Sequence, residues 1–450
     1  MEQDCICAIS TPPGRAALAL IRLSGIGCIE LVSGLFVRKN GSGAPPAGKV
    51  CHGEIHWKGR FLDDVVLWCY RVPRSFTGEE MVEISCHGSP YICEAILNAL
   101  TCSGARLAEP GEFTRRAFLN GKLNLSQSEA IADLIDSTNA TQHSLAVSQL
   151  RGGYAKKLKE LRQQLLDLTS LMELELDFSQ EDVEFADRTQ LTGLIGTLNT
   201  HLKSLISSFT MGNALKRGGI PVAIIGAPNA GKSTLLNALI EDERAIVSPI
   251  PGTTRDTIEE SMTIDGIAFL LIDTAGLRHT DDTVERLGIE RSRKAQEEAM
   301  IILEVVDAST KSDVIPETVL HEGKRHIVAL NKTDLVEGHI KTAGQSGKTV
   351  YVGISALHGD GLDQLKQALV AAGRQQIPND TLLTNVRHRD ALVHVRQALE
   401  RVSQGMGSGI PTDLLAIDLR DALHHLGTIT GEVTSDEVLG NIFSRFCVGK

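Results

Sequence analysis

Gly226-Ala-Pro-Asn229-Ala230-Gly231-Lys232-Ser233 has the spacing G-x-x-x-x-G-K-S, and that spacing does phosphate chemistry. The glycines let backbone N–H groups turn towards phosphate oxygens, and a helix opening at Thr234 adds the positive end of its dipole. Lys232 supplies a point charge to the β- and γ-phosphates, and the Ser233 hydroxyl can ligate Mg2+.

Three further segments follow in order. Asp273-Thr274-Ala275-Gly276 closes an apolar run, where a carboxylate can hold Mg2+ through water and a glycine N–H can sense the γ-phosphate. Asn331-Lys332-Thr333-Asp334 closes another. The Asp334 carboxylate can accept both N–H donors on the N1/N2 edge of guanine, which adenine lacks, so the nucleotide should be GTP. Ser355-Ala356 follows a third run, and the Ala356 N–H can donate to guanine O6. Between the phosphate loop and Asp273 lies Gly252-Thr253-Thr254-Arg255-Asp256, where a switch segment would offer a threonine to Mg2+. Order, spacing and context together resemble the translation-factor-related class of P-loop GTPases.

Hydrolysis needs an oriented water. Ras-like enzymes place a glutamine after the D-T-A-G turn; here that residue is Leu277, which cannot orient water. Asp281, Asp282 and Glu285 follow it, Arg255 is a candidate finger in cis, and a monovalent cation held by Asn229 could do the same electrostatic work. The residues alone leave these open.

Strands must deliver these turns. Pro221–Ile225, Ala268–Ile272, Ile301–Val306 and His326–Leu330 are apolar runs separated by amphipathic stretches, the pattern of a parallel sheet with helices on both faces. Before them, Val65–Tyr70 and Met81–Ser85 read as strands of an α+β region. Leu158, Leu161, Leu165, Leu168 and Met172, then Leu194, Leu198 and Leu202, recur at helical spacing. Gly373–Asn379 reads as a linker, and Ala391–Val402 and Leu414–Leu426 return to helical periodicity. Helical segments flanking an α/β segment imply an α/β domain inserted into a helical one. The expected boundaries are 1–120 for the α+β domain, 121–216 with 377–450 for the helical domain, and 217–376 for the inserted domain.

The 450 residues carry 45 basic and 56 acidic side chains, a net charge of −11. A broad electrostatic footprint on nucleic acid is thereby disfavoured. At 4% aromatic residues, so is an extensive base-stacking platform. Local basic clusters remain, at Lys156, Lys157, Lys159 and Arg162 and at Arg387, Arg389 and Arg396. No apolar run approaches the ~20 residues of a membrane span, and there is no secretory pattern at the start. Nine cysteines without C-x-x-C spacing fit a reducing compartment and a cytoplasmic protein. Cys5-x-Cys7 fits strand alternation.

Thr11-Pro-Pro-Gly-Arg15, Ser75-Phe-Thr-Gly-Glu79, His87-Gly88, Pro110-Gly-Glu-Phe-Thr114, Arg116-Ala-Phe-Leu-Asn120, Glu129-Ala-Ile-Ala-Asp133 and the ending Phe446-Cys-Val-Gly-Lys450 resemble the MnmE (TrmE) family of tRNA-modification GTPases over essentially the whole chain. The resemblance implies a multidomain α+β and α/β protein: an N-terminal folate-binding and dimerisation domain, a helical domain, and an inserted Ras-like P-loop GTPase domain. It implies a homodimer that works with the flavoprotein MnmG (GidA), in a heterotetramer or larger complex. Together they would add an aminomethyl or carboxymethylaminomethyl group to C5 of the wobble uridine, position 34, of certain tRNAs. The one-carbon unit would come from 5-formyl- or methylene-tetrahydrofolate.

By the same resemblance, Asn229, Ser248, Ile250 and Thr253 would ligate K+, and Ser233 and Thr254 would ligate Mg2+. Glu285 would orient water, and Arg22, Glu83, Lys122 and Lys450 would line the folate pocket. Cys447 matches the family's near-terminal cysteine, as a reactive or a merely structural thiol. Two departures stand out: valine at 448, where isoleucine is common, and a stiffer Pro249-Ile250-Pro251 in the K+ loop. The competing reading is a regulatory GTPase of the Era or Der kind, acting in RNA or ribosome assembly without modification chemistry.

Overall fold

The computed structural model describes residues 4–39, 45–177, 188–241, 259–273, 296–297, 299–310, 324–336, 343–346, 349–376, 382–408, 410–444 and 446–449. The chain divides into two compact units. One comprises Met1–Ala132, Leu150–Phe185 and Gln404–Lys450; the other comprises Asp133–Gln149 and Ala186–Ser403.

The first unit holds a seven-stranded sheet of order β3-β4-β5-β6-β2-β1-β7. Its strands are β1 (Ile6–Ile9), β2 (Leu18–Ser24), β3 (Phe36–Arg38), β4 (Val50–Trp57), β5 (Arg60–Tyr70), β6 (Met81–His87) and β7 (Arg106–Leu107). All neighbours are antiparallel except β1 and β7. Alternation sets the faces. On β5, Val65, Leu67 and Cys69 are buried while Val66 and Trp68 are exposed. Helices α1 (Cys28–Ser33) and α2 (Pro90–Cys102) bury Ile29, Val32, Ile96 and Leu100 in the same core. Cys5 and Cys7 share that core, as alternation requires. Burial pushes their thiols up to about 12 and about 11, which keeps them protonated and unreactive.

A short helix α3 (Glu112–Leu119) and the longer α4 (Leu125–Asp136), α5 (Ala140–Leu150) and α6 (Gly153–Asp177) follow. The five residues expected on one face of α6, Leu158, Leu161, Leu165, Leu168 and Met172, are all buried. They face α12 (Thr412–Thr430), which packs along α6 and buries Leu415, Leu419, Ala422, Leu426 and Ile429. Chain from before and after the central sheet thus shares one core. The last helix, α13 (Asp436–Phe443), is capped by Ser435, whose hydroxyl accepts from the Val438 N–H.

The second unit holds a sheet of order β13-β14-β12-β11-β8-β10-β9. The strands are β8 (Ile220–Ile225), β9 (Glu259–Ile264), β10 (Ile267–Asp273), β11 (Ile301–Asp307), β12 (Arg325–Asn331), β13 (Ala343–Ser346) and β14 (Thr349–Gly353). The five central strands are parallel. The edges β9 and β13 are antiparallel additions that no apolar run announced. Helix α9 (Lys232–Glu241) and helix α10 (Leu362–Gln376) contribute Leu235, Leu239, Leu365 and Leu369 to the core. Among the described residues this unit also carries most of α5 and the helices α7 (Arg188–Ser207), α8 (Phe209–Arg217) and α11 (Val386–Gly407).

Two local expectations are corrected. Gly373 is not linker: α10 runs through Gln376, and Gly373 lies so close to the sheet that a Cβ would stand 3.1 Å from Ile220 and Phe269. On α7 the buried stripe is Leu191, Ile195, Leu198, Leu202 and Leu205, and Leu194 is only half-buried. No described helix is long and apolar enough to cross a membrane.

A buried glutamate–histidine contact interrupts the apolar strands. Glu304 on β11 lies 2.9 Å from His326 Nε2 on β12, both nearly inaccessible to solvent. Glu304→Ala removes the partner without restoring water to the imidazole, so it should destabilise the second unit by about 1–3 kcal/mol. Denaturant unfolding against the wild type measures this, and an unchanged midpoint would contradict it.

Candidate nucleotide and tail sites

All six residues of β8 are buried, so the strand fixes where Gly226 emerges. Gly226 has φ +147, and a Cβ there would lie 2.2 Å from the Val305 carbonyl oxygen on β11. The loop can leave the sheet at this point only without a side chain. Asn229 adopts φ +63 and Gly231 φ +97, which turn the chain into α9. A Cβ on Gly231 would meet Asn331 Nδ2 at 2.2 Å. The α9 N-terminus therefore starts at Lys232, with the half-buried Ser233 and the exposed Thr234 in its first turn. Lys232 Nζ donates to the carbonyls of Gly226 and Ala227, both at 2.8 Å.

Asn331 ends β12 and joins three of the expected segments. Its side chain is 3% exposed. Nδ2 donates to the Ala230 carbonyl at 2.8 Å, and Oδ1 accepts from the Ala356 N–H at 2.9 Å. The phosphate loop, the N-K-T-D turn and the Ser355-Ala356 turn are thus locked to one another. The Ala356 N–H, expected to donate to guanine O6, is taken by Asn331 in this structure. Lys332 follows in the left-handed region at φ +63. Asp334 sits on a 3-10 turn, Thr333–Leu335, with its carboxylate about a quarter exposed. The Ser355 hydroxyl beside it holds that carboxyl below its usual range. His358 Nε2 stands 3.9 Å away.

Asp273 closes β10 opposite Ile224 of β8, the strand that leads into the phosphate loop. Thr274, Ala275, Gly276, Leu277, Asp281, Asp282 and Glu285 lie outside the described residues. So do Ser248, Ile250, Thr253, Thr254, Arg255 and Lys450.

The first unit assembles a second constellation. Arg22 on β2 and Glu83 on β6 are register partners, and their side chains meet at 2.7 Å. The Tyr70 hydroxyl donates to the other Glu83 oxygen at 3.2 Å. Burial, reinforced by the Glu83 charge, raises the Tyr70 phenol. The Arg22 guanidinium lies 5.4 Å from the Phe76 ring centre and 5.8 Å from that of Phe113. Lys122 Nζ donates to the Pro73 carbonyl at 3.0 Å, and Asn120 Nδ2 donates to the Thr77 carbonyl at 2.8 Å. The segment 73–79 therefore lies between Arg22 and Lys122. Phe76 and Phe113 belong to motifs quoted above, yet their place beside Arg22 has no signature in spacing.

Residues 447–449 reach the end of the neighbouring strand β1 and the start of α3. The Ser10 hydroxyl donates to the Gly449 carbonyl at 3.0 Å, and the Gly111 N–H donates to the Cys447 carbonyl at 3.4 Å. Gly449, at φ +91, sits where a Cβ would be 2.4 Å from the Ile9 carbonyl oxygen. Phe446 packs with Phe443 and Leu125. Ile9 and Ala8 of β1 are the register partners of Ile21 and Arg22, so the tail meets the strand next to the one that carries Arg22. The Cys447 residue is exposed.

The basic clusters are largely engaged. Arg162 pairs with Glu432, Arg389 with Asp390 and Arg396 with Glu400, and the Arg389 guanidinium lies over Phe209 at 4.7 Å. Arg387 Nη2 contacts His388 Nε2 at 2.9 Å. Lys156 and Lys159 are exposed and Lys157 is half-buried on α6.

The sequence pattern of the MnmE helical domain matches residues 125–447, and that of the GTP-binding protein TrmE N-terminus matches residues 5–122. The tRNA modification GTPase MnmE of Porphyromonas gingivalis is 48% identical, covering 100% of this chain and 98% of its own. The protein of the same name from Cytophaga hutchinsonii is 46% identical, covering 99% and 98%. Among solved structures, a point variant of Aquifex aeolicus Era bound to GDP.AlF4- is 27% identical over 40% of this chain and 66% of its own. Its TM-score of 0.25 is too low to relate the two molecules as wholes.

Proposed function

The chain belongs to the MnmE family of tRNA modification GTPases, and from that premise we propose that it hydrolyses GTP in the course of modifying tRNA. The observation that carries the nucleotide half is the Asn331 amide, which holds the phosphate loop and the guanine-reading turns in one rigid frame. Lys232 and the first turn of α9 bind phosphate, and Asp334 selects guanine. The Ser233 hydroxyl suits a hard cation, and with Thr254 would hold Mg2+, which neutralises charge on the β- and γ-phosphates. Asn229, with Ser248, Ile250 and Thr253, would hold K+ where an arginine finger acts in related enzymes. Glu285 would orient the attacking water in place of the glutamine that Leu277 displaces.

Arg22, Glu83, Lys122 and Lys450 form the proposed folate site. A carboxylate paired with a guanidinium that itself lies near two aromatic rings suits the donor–acceptor edge and flat face of a pterin. The folate supplies a one-carbon unit when bound, and Cys447 is proposed as the thiol of that region. In this reading the protein is a cytoplasmic homodimer, joined through residues 1–120 and partnered by MnmG, that modifies C5 of the wobble uridine. The helical domain (121–216 and 377–450) carries the inserted GTPase domain (217–376).

Initial GTP hydrolysis rates in KCl and NaCl of matched ionic strength test the catalytic half. The rate in KCl should be higher by about tenfold or more, because a positioned cation stabilises charge developing on the phosphates. Glu285→Ala should still bind GTP and lose hydrolysis. Equal rates in the two salts would remove K+ from the mechanism, and normal turnover by Glu285→Ala would remove that residue.

A further inference from the structure

We propose that Asp307 is a positioning residue for guanine recognition: it holds the Lys332 ammonium away from Asp334. The proposal rests on the GTP reading above and concerns a residue that reading leaves unused.

Lys332 and Asp334 belong to one short turn, and a lysine two residues from a carboxylate is a ready competitor for it. Asp334 can accept both guanine N–H groups only if its oxygens are not committed to an ammonium. In the structure Lys332 Nζ is committed elsewhere, to Asp307 Oδ2 at 2.5 Å. That carboxylate is itself pinned. Its other oxygen accepts from the Ser309 N–H at 2.9 Å and from the Ser309 hydroxyl at 2.6 Å. Its backbone is pinned too. Asp307 is the register partner of Asn331 at the end of the β11/β12 ladder, and the Ala308 N–H donates to the Asn331 carbonyl at 2.8 Å.

Lys332 has φ +63, a conformation that residues with a Cβ seldom adopt. That turn lets the Lys332 side chain reach back to β11 while Asp334 emerges beside Ser355. The hydrogen bond from Lys332, with those from Ser309, holds the Asp307 carboxyl below its ordinary range, so Asp307 keeps its charge at neutral pH. Without that charge, the nearest carboxylate on the lysine's own turn is the one that reads the base.

The mechanism makes Asp307 matter only while an ammonium is present at 332. Isothermal titration with GDP and with IDP, whose base lacks the 2-amino group, would be run on the full-length wild type, Asp307→Asn, Lys332→Met and the double variant. Asp307→Asn should weaken GDP binding about tenfold, a coupling typical of contacting residues, and narrow the preference for GDP over IDP. In the Lys332→Met background the same change should cost less than about twofold. Equal losses in both backgrounds, or an unchanged preference between the bases, would overturn the proposal. If Asp307→Asn fails to fold, Ser309→Ala loosens the same carboxylate and should show a smaller loss with the same dependence on Lys332; no such dependence would overturn it. A wild type that binds no GDP would overturn the nucleotide reading itself. Binding with additive losses would overturn only the role of Asp307.

Discussion

Lys232→Ala should lower GTP turnover by about 10²–10³-fold while leaving the thermal midpoint of the nucleotide-free protein nearly unchanged. The ammonium donates to the carbonyls of Gly226 and Ala227. Neither carries the loop's shape, which is set by the buried β8 strand, the left-handed Asn229 and Gly231, and the Asn331 clamp. Removing the side chain therefore deletes a charge aimed at the phosphates without deleting the fold that aims it. Single-turnover hydrolysis and nucleotide titration together measure the loss. Turnover within a factor of about three of wild type would be far below the cost of removing a phosphate-directed charge, and would exclude Lys232 from the site.

Asp334→Asn should exchange the base preference. A carboxylate accepts from guanine N1–H and from its 2-amino group. An amide keeps the acceptor for N1–H but presents an N–H where the amino group stood, and xanthine carries a carbonyl at that position. The variant should lose GTP affinity and gain affinity for XTP, with a swing in preference of at least about 10³-fold, because a site built to hydrogen-bond its substrate rejects an analogue that leaves its polar groups unpaired. Competition of XTP and GTP for one labelled nucleotide measures it. Equal losses for both nucleotides would mean that Asp334 shapes the turn rather than reading the base.

The parallel core of the GTPase sheet was readable because strands buried on both faces are unbroken apolar runs: β8, β10, β11 and β12 fall where Pro221–Ile225, Ala268–Ile272, Ile301–Val306 and His326–Leu330 stand. The edge strands β9 and β13 were not, since Glu259–Ile264 and Ala343–Ser346 have no such run. Gly373 reads locally as a helix breaker. Its actual role, letting α10 close on Phe269, depends on a contact more than a hundred residues away in the chain. The buried Glu304 looks like an ordinary charged residue until His326 is placed beside it.

The residues proposed for the nucleotide site could be named from the sequence because phosphate and guanine chemistry dictate residue types at fixed spacing. Their mutual locking could not. Nothing in the spacing says that Asn331 bonds both Ala230 and Ala356, or that Lys332 reaches Asp307. The resemblance named Arg22 and Glu83, but their pairing and the aromatic rings near Arg22 follow only from the antiparallel register of β2 against β6.

The most direct test is nucleoside mass spectrometry of bulk tRNA from a strain lacking this chain, complemented with wild type or Lys232→Ala. Loss of the wobble-uridine C5 modification on deletion, restored by the wild type and not by Lys232→Ala, is the expected result. A nucleoside profile unchanged by deletion, in a strain with no second copy, would contradict a role in tRNA modification and leave a GTPase whose output lies elsewhere.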